Sequence, residues 1–174
     1  MTNNIFVFLG LYIKLSSRGP VIYRQERIGL YGLPFNIYKF RTMVVDAEEN
    51  GPELACKGDN RLTKFGKFLR EHHLDELPQL WNVFKGDMAF IGPRPEREYY
   101  IKQIMERDPR YVYLYQIRPG VTSYATLYNG YTDTIEKMLR RLELDLYYLE
   151  HRSWWLDVKI LAKTFINIVF GKKF

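Results

Sequence analysis

Two apolar stretches lie at opposite ends of this 174-residue chain, and neither has the length and composition of a simple membrane span. The first, IFVFLGLYI at residues 5–13, is far shorter than the roughly 20 apolar residues that cross a bilayer. The second, residues 154–174, is apolar at most positions but carries Asp157, Lys159 and Lys163. Both stretches therefore predict helices that rest on a surface or on a core without crossing a membrane.

The C-terminal stretch supports two interpretations. Trp154 and Trp155 at one end and Lys172 and Lys173 at the other are typical of an amphipathic helix lying at a membrane interface. A core helix whose basic end complements its dipole fits the same residues equally well. The sequence alone leaves both interpretations open.

The charge of the chain points to anionic partners. Lys and Arg number 26 against 20 Asp and Glu, which gives a net charge of +6. Such a balance favours nucleic acid, an acidic membrane surface or phosphorylated substrates. The single cysteine, Cys56, excludes an internal disulfide and fits a reducing compartment. The phosphate-binding glycine motifs, zinc-ligand spacings and serine-hydrolase motifs are absent from the sequence.

The central part of the chain predicts an α+β fold, mainly helical with one small β-hairpin. Strands are expected at residues 21–24 and 35–41, joined by a segment rich in Gly and Pro. A period of two puts Lys39 and Arg41 on one face of the second strand. Residues 44–60 are polar and predict a loop. Apolar residues recur at helical spacing in residues 61–73, after Asp75, in residues 133–153 and at the C-terminus, which predicts helices there.

The stretch HLDELPQL places Asp75 and Glu76 just before Pro78. A purely structural explanation is that Asp75 caps a helix and Pro78 occupies its first turn. Apolar residues then recur on one helical face, namely Leu77, Leu80, Trp81 and Phe84. Local pattern alone favours this structural role for the two carboxylates.

Arg94 stands between Pro93 and Pro95 in the stretch GPRP. Proline fixes its own φ and restricts the residue before it, so this backbone is stiff. A guanidinium held in this way matches the oxygens of a phosphate group. The alternative is an ordinary Pro-rich loop with an exposed arginine.

Four motifs, taken in order, closely resemble the bacterial sugar transferase family, the monotopic phosphoglycosyl transferases. They are RQERIGLYGLPFNIYKFRTM (24–43), LDELPQLWNVFKGDMAFIGPRP (74–95), IRPGVTSYA (117–125) and LELDLYYLEHRSWWLDVKIL (142–161). The match extends from about residue 20 to residue 170. It is specific because these motifs occur together in one chain. It outweighs the cap-only explanation of Asp75, although one residue can serve both purposes. A nucleic-acid-binding domain would explain the charge but not these motifs, so we expect no nucleic acid partner.

The resemblance implies transfer of a sugar 1-phosphate from a UDP-sugar to a polyprenyl (undecaprenyl) phosphate, with release of UMP. This step begins polysaccharide or glycoconjugate assembly at the cytoplasmic face of the bacterial cytoplasmic membrane. It implies Asp75 as a covalent nucleophile in a dyad with Glu76, and Mg²⁺ held by both carboxylates. The cations implied to contact substrate phosphates are Arg94, Arg70, Lys39 and Arg41.

The same resemblance places a sugar- or nucleotide-proximal region at residues 118–131, with Arg118, Thr126 and Tyr131 as its candidates. Here the sequence departs from the family pattern, because Ser123 replaces a usual glycine and Thr126 a usual glutamine. The sugar is therefore left open. Arg118 is an alternative anchor for its own turn, through Glu143 or Asp145.

The resemblance also divides the chain into two parts. Residues 1–19 correspond to a shortened, partly re-entrant membrane helix and its connector, because only residues 5–13 resemble the second half of the longer helix of the family. Residues 20–174 form a single catalytic domain. We expect monotopic or peripheral binding to an anionic membrane surface, and the sequence leaves the oligomeric state open. The alternative is a catalytically impaired member that only binds nucleotide-sugar or membrane.

Overall fold

The computed structural model describes residues 2–49, 51–56, 58–130 and 132–170. Mixed α/β structure, mainly helical, is observed as predicted. The helices are α1 (Thr2–Ser16), α2 (Lys64–Glu71), α3 (Gln79–Lys85), α4 (Glu98–Met105), α5 (Tyr124–Asn129), α6 (Ile135–His151) and α7 (Trp154–Val169). The strands are β1 (Ile22–Ile28), β2 (Pro34–Phe40), β3 (Ala89–Ile91) and β4 (Gly120–Thr122). Three 3₁₀ segments occupy Leu30–Gly32, Leu74–Glu76 and Pro109–Gln116.

The predicted hairpin is confirmed. Strands β1 and β2 are antiparallel, and their register pairs Ile22 with Phe40 and Ile28 with Pro34. β1 is longer than the sequence suggested, because the polar residues in its second half still pair with β2. The short connection is possible because Tyr31 and Gly32 adopt φ values of 59° and 72°.

A second, parallel pair of strands was not predicted. The register of β3 and β4 pairs Ala89 with Gly120 and Ile91 with Thr122. The backbones meet so closely that a Cβ on Gly120 would lie 2.1 Å from the amide nitrogen of Gly92. Strands of three residues are too short to show a periodic pattern. Their pairing brings the GPRP segment next to the turn that contains Arg118.

The predicted capping role of Asp75 is wrong. Helix α3 begins at Gln79, and its capping position is filled by Pro78 without a side-chain hydrogen bond. Asp75 lies in the separate 3₁₀ turn Leu74–Glu76, which follows His73 at φ 54°. Proline at the helix start is confirmed, since a missing N–H is tolerated there.

The apolar face expected on α3 points outward, with Leu80, Trp81 and Phe84 all exposed. The buried residues of this helix are Gln79 and Asn82. Asn82 is buried because its side chain bonds the backbone of β2 at Asn36 and Tyr38. Hydrogen bonding to the strand, and not apolar burial, therefore sets the orientation of α3.

Two apolar clusters hold the elements together. The larger lies between α4, the segment Pro109–Gln116 and α6, and includes Ile101, Ile104, Met138 and Leu142. The smaller consists of Ile13 from α1, Phe40 from β2 and Leu69 from α2. The second cluster attaches the apolar N-terminal helix to the strand that carries Lys39.

Helix α7 packs against the fold along one face, as the core-helix interpretation requires. Its Ile160 is only 1% exposed, and its Thr164 hydroxyl lies 2.8 Å from the hydroxyl of Thr122 near β4. The opposite face is apolar and exposed, with Trp154, Trp155, Leu161, Phe165 and Phe170. Lys172 and Lys173 lie outside the described residues. Within the described ranges, no helix has both the length and the apolar character that a bilayer crossing requires.

Candidate active site

Two cations converge on one carboxylate oxygen at the centre of the fold. Lys39 Nζ from β2 lies 2.7 Å from Glu76 Oε1, and Arg94 Nη2 lies 2.9 Å from the same atom. Glu76 sits in the 3₁₀ turn before α3, and Arg94 follows β3. Three separate segments of the chain thus supply this ion-pair cluster.

The cluster fixes the ionisation of its members. Burial alone would raise the pKa of Glu76, but the charges of Lys39 and Arg94 hold this pKa well below its ordinary value. The Glu76 charge and its hydrogen bond raise the pKa of Arg94, despite opposing burial. Burial lowers the pKa of Lys39, with Glu76 acting in the opposite direction. Glu76 is therefore an ionised group across the physiological range.

Asp75 behaves differently from its neighbour. Its side chain is buried, with 7% of the residue exposed. Burial, together with the adjacent Glu76 charge, raises the pKa of Asp75 to about 6. The positive charges of Lys39, Arg70 and Arg94 act in the opposite direction. The adjacent carboxylates thus have separate properties, one held ionised by two cations and one titrating close to neutrality.

Arg70 reaches this region from the last turn of α2. Its Nε donates a hydrogen bond of 3.0 Å to the hydroxyl of Thr42. Helix α2 can lie this close because Gly66 has no side chain, and a Cβ there would be 1.9 Å from the Thr42 carbonyl oxygen. Thr42 was not singled out from the sequence, although it is the Thr of the KFRTM motif.

Two buried acidic residues, Glu96 and Asp145, lie near the stiff loop around Arg94. The sequence analysis gave Glu96 no role and Asp145 only that of an alternative partner for Arg118. Glu96 pairs with Arg27 of β1 at 3.3 Å and with Arg141 of α6. The buried Asp145 on α6 is close enough to the backbone amides of Arg94 and Ala125 for them to lower its pKa, against the larger effect of burial. Glu96 and Asp145 lie in the GPRPERE and LELDLYY stretches, yet their tertiary contacts leave no local signal in the sequence.

Arg41 makes no contact with this cluster among the described residues, and its role in phosphate binding stays a prediction. Strand β2 ends at Phe40, and the alternation that brings Lys39 to Glu76 does not extend to Arg41. The buried guanidinium instead donates to the carbonyl oxygens of Ile13, Ser17 and Pro20. These carbonyls end α1 and the segment after it, where helical partners are lacking.

Of the three candidates for the sugar-proximal region, the two that the structure describes, Arg118 and Thr126, do not contact the cluster. Arg118 is exposed and donates to the carbonyl oxygen of Gly86 at 2.8 Å, so the expected anchor on Glu143 or Asp145 is wrong. Thr126 lies in the first turn of α5, where its hydroxyl is 2.9 Å from Ser123 Oγ. Ser123 Oγ also accepts from the Thr126 amide at 2.8 Å. Tyr131 lies outside the described residues.

Asp75 and Glu76 are also the residues to consider for a metal ion. Over the described part of the chain, no group of three or more His, Cys, Asp or Glu side chains is arranged to hold a metal. Mg²⁺ is commonly held by one or two carboxylates together with substrate phosphate oxygens. This pair therefore fits a magnesium ion that is shared with a bound phosphate, but not a closed structural metal site.

Comparison with known proteins confirms the resemblance carried by the motifs. The family model described as bacterial sugar transferase matches residues 1–171. A UDP-N-acetylgalactosamine-undecaprenyl-phosphate N-acetylgalactosaminephosphotransferase of Aeromonas hydrophila is 43% identical over 159 residues, or 91% of this chain and 38% of the relative. A UDP-glucose:undecaprenyl-phosphate glucose-1-phosphate transferase of Caulobacter vibrioides is 43% identical over 164 residues, or 92% of this chain and 61% of the relative.

The chain spans 38% and 61% of the lengths of these two relatives. Each alignment nevertheless covers more than nine tenths of this chain. A family model that matches residues 1–171 leaves almost no part of the sequence outside it. The chain belongs to the bacterial sugar transferase family.

Proposed function

We propose that this chain is a membrane-associated phosphoglycosyl transferase. It moves a sugar 1-phosphate from a UDP-sugar to a polyprenyl phosphate, and UMP is released. The observation that carries this proposal is the arrangement around Glu76, where Lys39 and Arg94 converge beside the buried Asp75. Both relatives described above are named as undecaprenyl-phosphate transferases of UDP-linked sugars, one for N-acetylgalactosamine phosphate and one for glucose 1-phosphate.

In the first step, a carboxylate oxygen of Asp75 attacks the β-phosphorus of the donor. A bond forms between this oxygen and phosphorus, while the bond from phosphorus to the bridging oxygen breaks and UMP departs with that oxygen. Carboxylates are established covalent nucleophiles of this kind. The pKa of about 6 leaves Asp75 largely ionised above neutral pH, yet more basic than an ordinary aspartate.

In the second step, an oxygen of the polyprenyl phosphate attacks the same phosphorus. The bond between phosphorus and Asp75 breaks, the carboxylate is restored and a polyprenyl diphosphate sugar leaves. Arg94, Arg70 and Lys39 supply positive charge around the reacting phosphorus in both steps. Fixed charges of this type stabilise a transition state without reorganisation.

Magnesium is the expected cofactor. Asp75 and Glu76 would hold Mg²⁺ together with oxygens of the donor's diphosphate. When bound, the ion neutralises charge on the diphosphate and so favours departure of UMP. Lys39 and Arg94 keep Glu76 ionised, which is the form that a metal ligand requires.

The acceptor is a lipid, so we further propose that the chain works on the cytoplasmic face of the bacterial membrane. Support comes from the exposed apolar residues of α1 (Phe6, Val7, Phe8, Leu11 and Leu15) and from the outward face of α7. The net charge of +6 favours an anionic lipid surface. Flotation of the chain with anionic and neutral vesicles tests this part, and loss of binding to both would refute it.

The chemical proposal is tested by UMP release. The 174-residue chain is incubated with Mg²⁺, polyprenyl phosphate in anionic vesicles and either UDP-N-acetylgalactosamine or UDP-glucose. Release that depends on the acceptor and disappears in Asp75→Asn supports the proposal. Binding of a UDP-sugar without any release would instead identify a nucleotide-sugar-binding member that has lost activity.

A further inference from the structure

Gln79, the first residue of α3, is a buried side chain whose amide nitrogen has no partner. Only 2% of the residue is exposed. Its Nε2 is buried, and no acceptor within the described residues lies at hydrogen-bonding distance. An unpaired buried amide donor is unfavourable for folding, because the hydrogen bonds it made to water are lost. The presence of a glutamine here therefore calls for a reason other than stability.

The face of α3 that carries Gln79 is turned towards strand β2. Gln79 and Asn82 are three residues apart and lie on the same side of the helix. Asn82 Nδ2 donates to the carbonyl oxygen of Asn36 at 2.7 Å, and Asn82 Oδ1 accepts from the Tyr38 amide at 3.1 Å. Asn82 thus has a structural role that its contacts explain, whereas no corresponding bond to β2 is made by the Gln79 amide nitrogen.

Gln79 also lies close in sequence to the two carboxylates. Asn82 contacts β2 at residues 36 and 38, and Glu76 contacts the same strand at Lys39. Gln79 is three residues from Glu76 and three from Asn82, and it follows Asp75 by four residues. Both Gln79 and Asp75 are buried. The unpaired donor therefore belongs to the buried stretch that continues directly from the two carboxylates.

We propose that Gln79 is a substrate-binding residue, whose Nε2 donates to an oxygen of the phosphoryl group that is transferred. This inference rests on the proposed function and adds a neutral donor to the cationic set. In the free protein, Lys39 and Arg94 are engaged by Glu76, and Arg70 is engaged by Thr42. The Gln79 amide nitrogen needs no such exchange of partners. A donor that has no partner to give up can stabilise the negative charge that develops on the phosphoryl oxygens in the transition state.

The variant Gln79→Met separates this role from a structural one. Methionine has nearly the same length and volume, but it removes the buried polar donor. The thermal midpoint should stay equal or rise, because an unpaired polar group has been removed. In contrast, kcat/KM for the UDP-sugar should fall roughly ten- to a hundredfold, since a preorganised donor to the transition state is lost. A residue that matters only for packing would not produce opposite changes in stability and activity.

Gln103→Met is the matched control. Gln103 lies on α4, where its Nε2 donates to the Tyr99 carbonyl oxygen at 3.4 Å. This substitution makes the same chemical change away from the carboxylates, and activity and thermal midpoint should both remain those of the parent. A loss of activity in this control would show that the assay responds to any Gln→Met change.

Two results for Gln79→Met would overturn the inference: activity within about twofold of the parent, or a lowered thermal midpoint that accompanies the loss of activity. If the parent itself releases no UMP, the proposed function fails first. Calorimetric titration with UDP-glucose and UDP-N-acetylgalactosamine, with Mg²⁺ present, then decides the inference alone. Weaker binding to Gln79→Met than to the parent supports it, and equal binding or no binding to either protein refutes it.

Discussion

Lys39 and Glu76 are 37 positions apart in sequence, yet Lys39 Nζ lies 2.7 Å from Glu76 Oε1. This contact joins the hairpin to the turn that carries both carboxylates. Both side chains are mostly buried, so their charges are only weakly screened by solvent. The hairpin is therefore a part of the candidate site and not merely a support for it.

Replacing Lys39 by Met should weaken both activity and stability. Glu76 would lose one of its two ion-pair partners among the described residues. A buried carboxylate with fewer partners is destabilising by on the order of 1–3 kcal/mol. Urea unfolding and UMP release measure the two effects. Lys102→Met is the control, because the Lys102–Glu98 pair is exposed and should contribute little. Equal results for the two variants would contradict the importance of the Lys39–Glu76 contact.

Asp75→Asn should abolish turnover while the fold is retained. An amide cannot form the acyl phosphate, and removal of a carboxyl whose pKa is raised by burial should not destabilise the protein at neutral pH. Mass spectrometry of the parent after incubation with donor alone should find a phosphosugar on the peptide that contains Asp75. Substantial UMP release by Asp75→Asn would show that the nucleophile is another group.

Arg94→Lys should be a severe substitution in spite of the conserved charge. A lysine cannot reproduce a planar fork held between two prolines, so transition-state binding should weaken by on the order of 1.5–3 kcal/mol, roughly ten- to a hundredfold in rate. Arg118→Lys is the matched control, since Arg118 is exposed and bonds only the Gly86 carbonyl oxygen among the described residues. Steady-state rates of UMP release by the two variants measure this effect. Similar rates in both would show that Arg94 does not contact the substrate.

Asp145 should make stability depend on pH. Burial, with a contribution from Glu96 and against the charge of Arg141, raises the pKa of Asp145 to about 7 from the ordinary 3.8. The folded protein therefore keeps a proton that the unfolded chain releases between these values. Stability should consequently fall as pH rises from about 4 towards 7, by on the order of a few kcal/mol.

Asp145→Asn tests this dependence, because asparagine stays neutral at every pH. Its stability relative to the parent should increase from pH 5 to pH 8, as followed by urea unfolding at several pH values. Asparagine has nearly the same shape as aspartate, so the loop around Arg94 should keep its position. A constant difference between the two proteins over this range would show that Asp145 titrates normally.

The parts of the fold that the sequence predicted are those with local patterns. The hairpin, α2, α6 and α7 all have periodic apolar residues or turn residues at their ends. Strands β3 and β4 have three residues each and depend on a close approach between Gly92 and Gly120, which no local pattern reveals. The start of α3 was also misplaced, because an acidic residue before a proline is typical of a cap as well as of a separate turn.

Contacts of the candidate site could be predicted where a motif lies on a regular element of secondary structure. They could not be predicted where residues distant in sequence come together only in the folded chain. Alternation along β2 predicted Lys39 and Arg41 on one face, but the strand ends at Phe40, and only Lys39 contacts Glu76. Glu96 anchors the Arg94 loop through contacts with Arg141 and Arg27 that span 45 and 69 residues. The magnesium ion stays a prediction, and the identity of the sugar stays open.

The hydrogen bonds from Arg41 to three carbonyl oxygens connect helix α1 to the end of strand β2. The Arg41 guanidinium holds the end of α1 and the segment up to Pro20, and only one residue separates it from Lys39. A tilt or displacement of the apolar helix is therefore transmitted directly to the strand that contacts Glu76. For a lipid-borne acceptor, the depth to which α1 settles would then affect the height of Asp75 above the lipid surface.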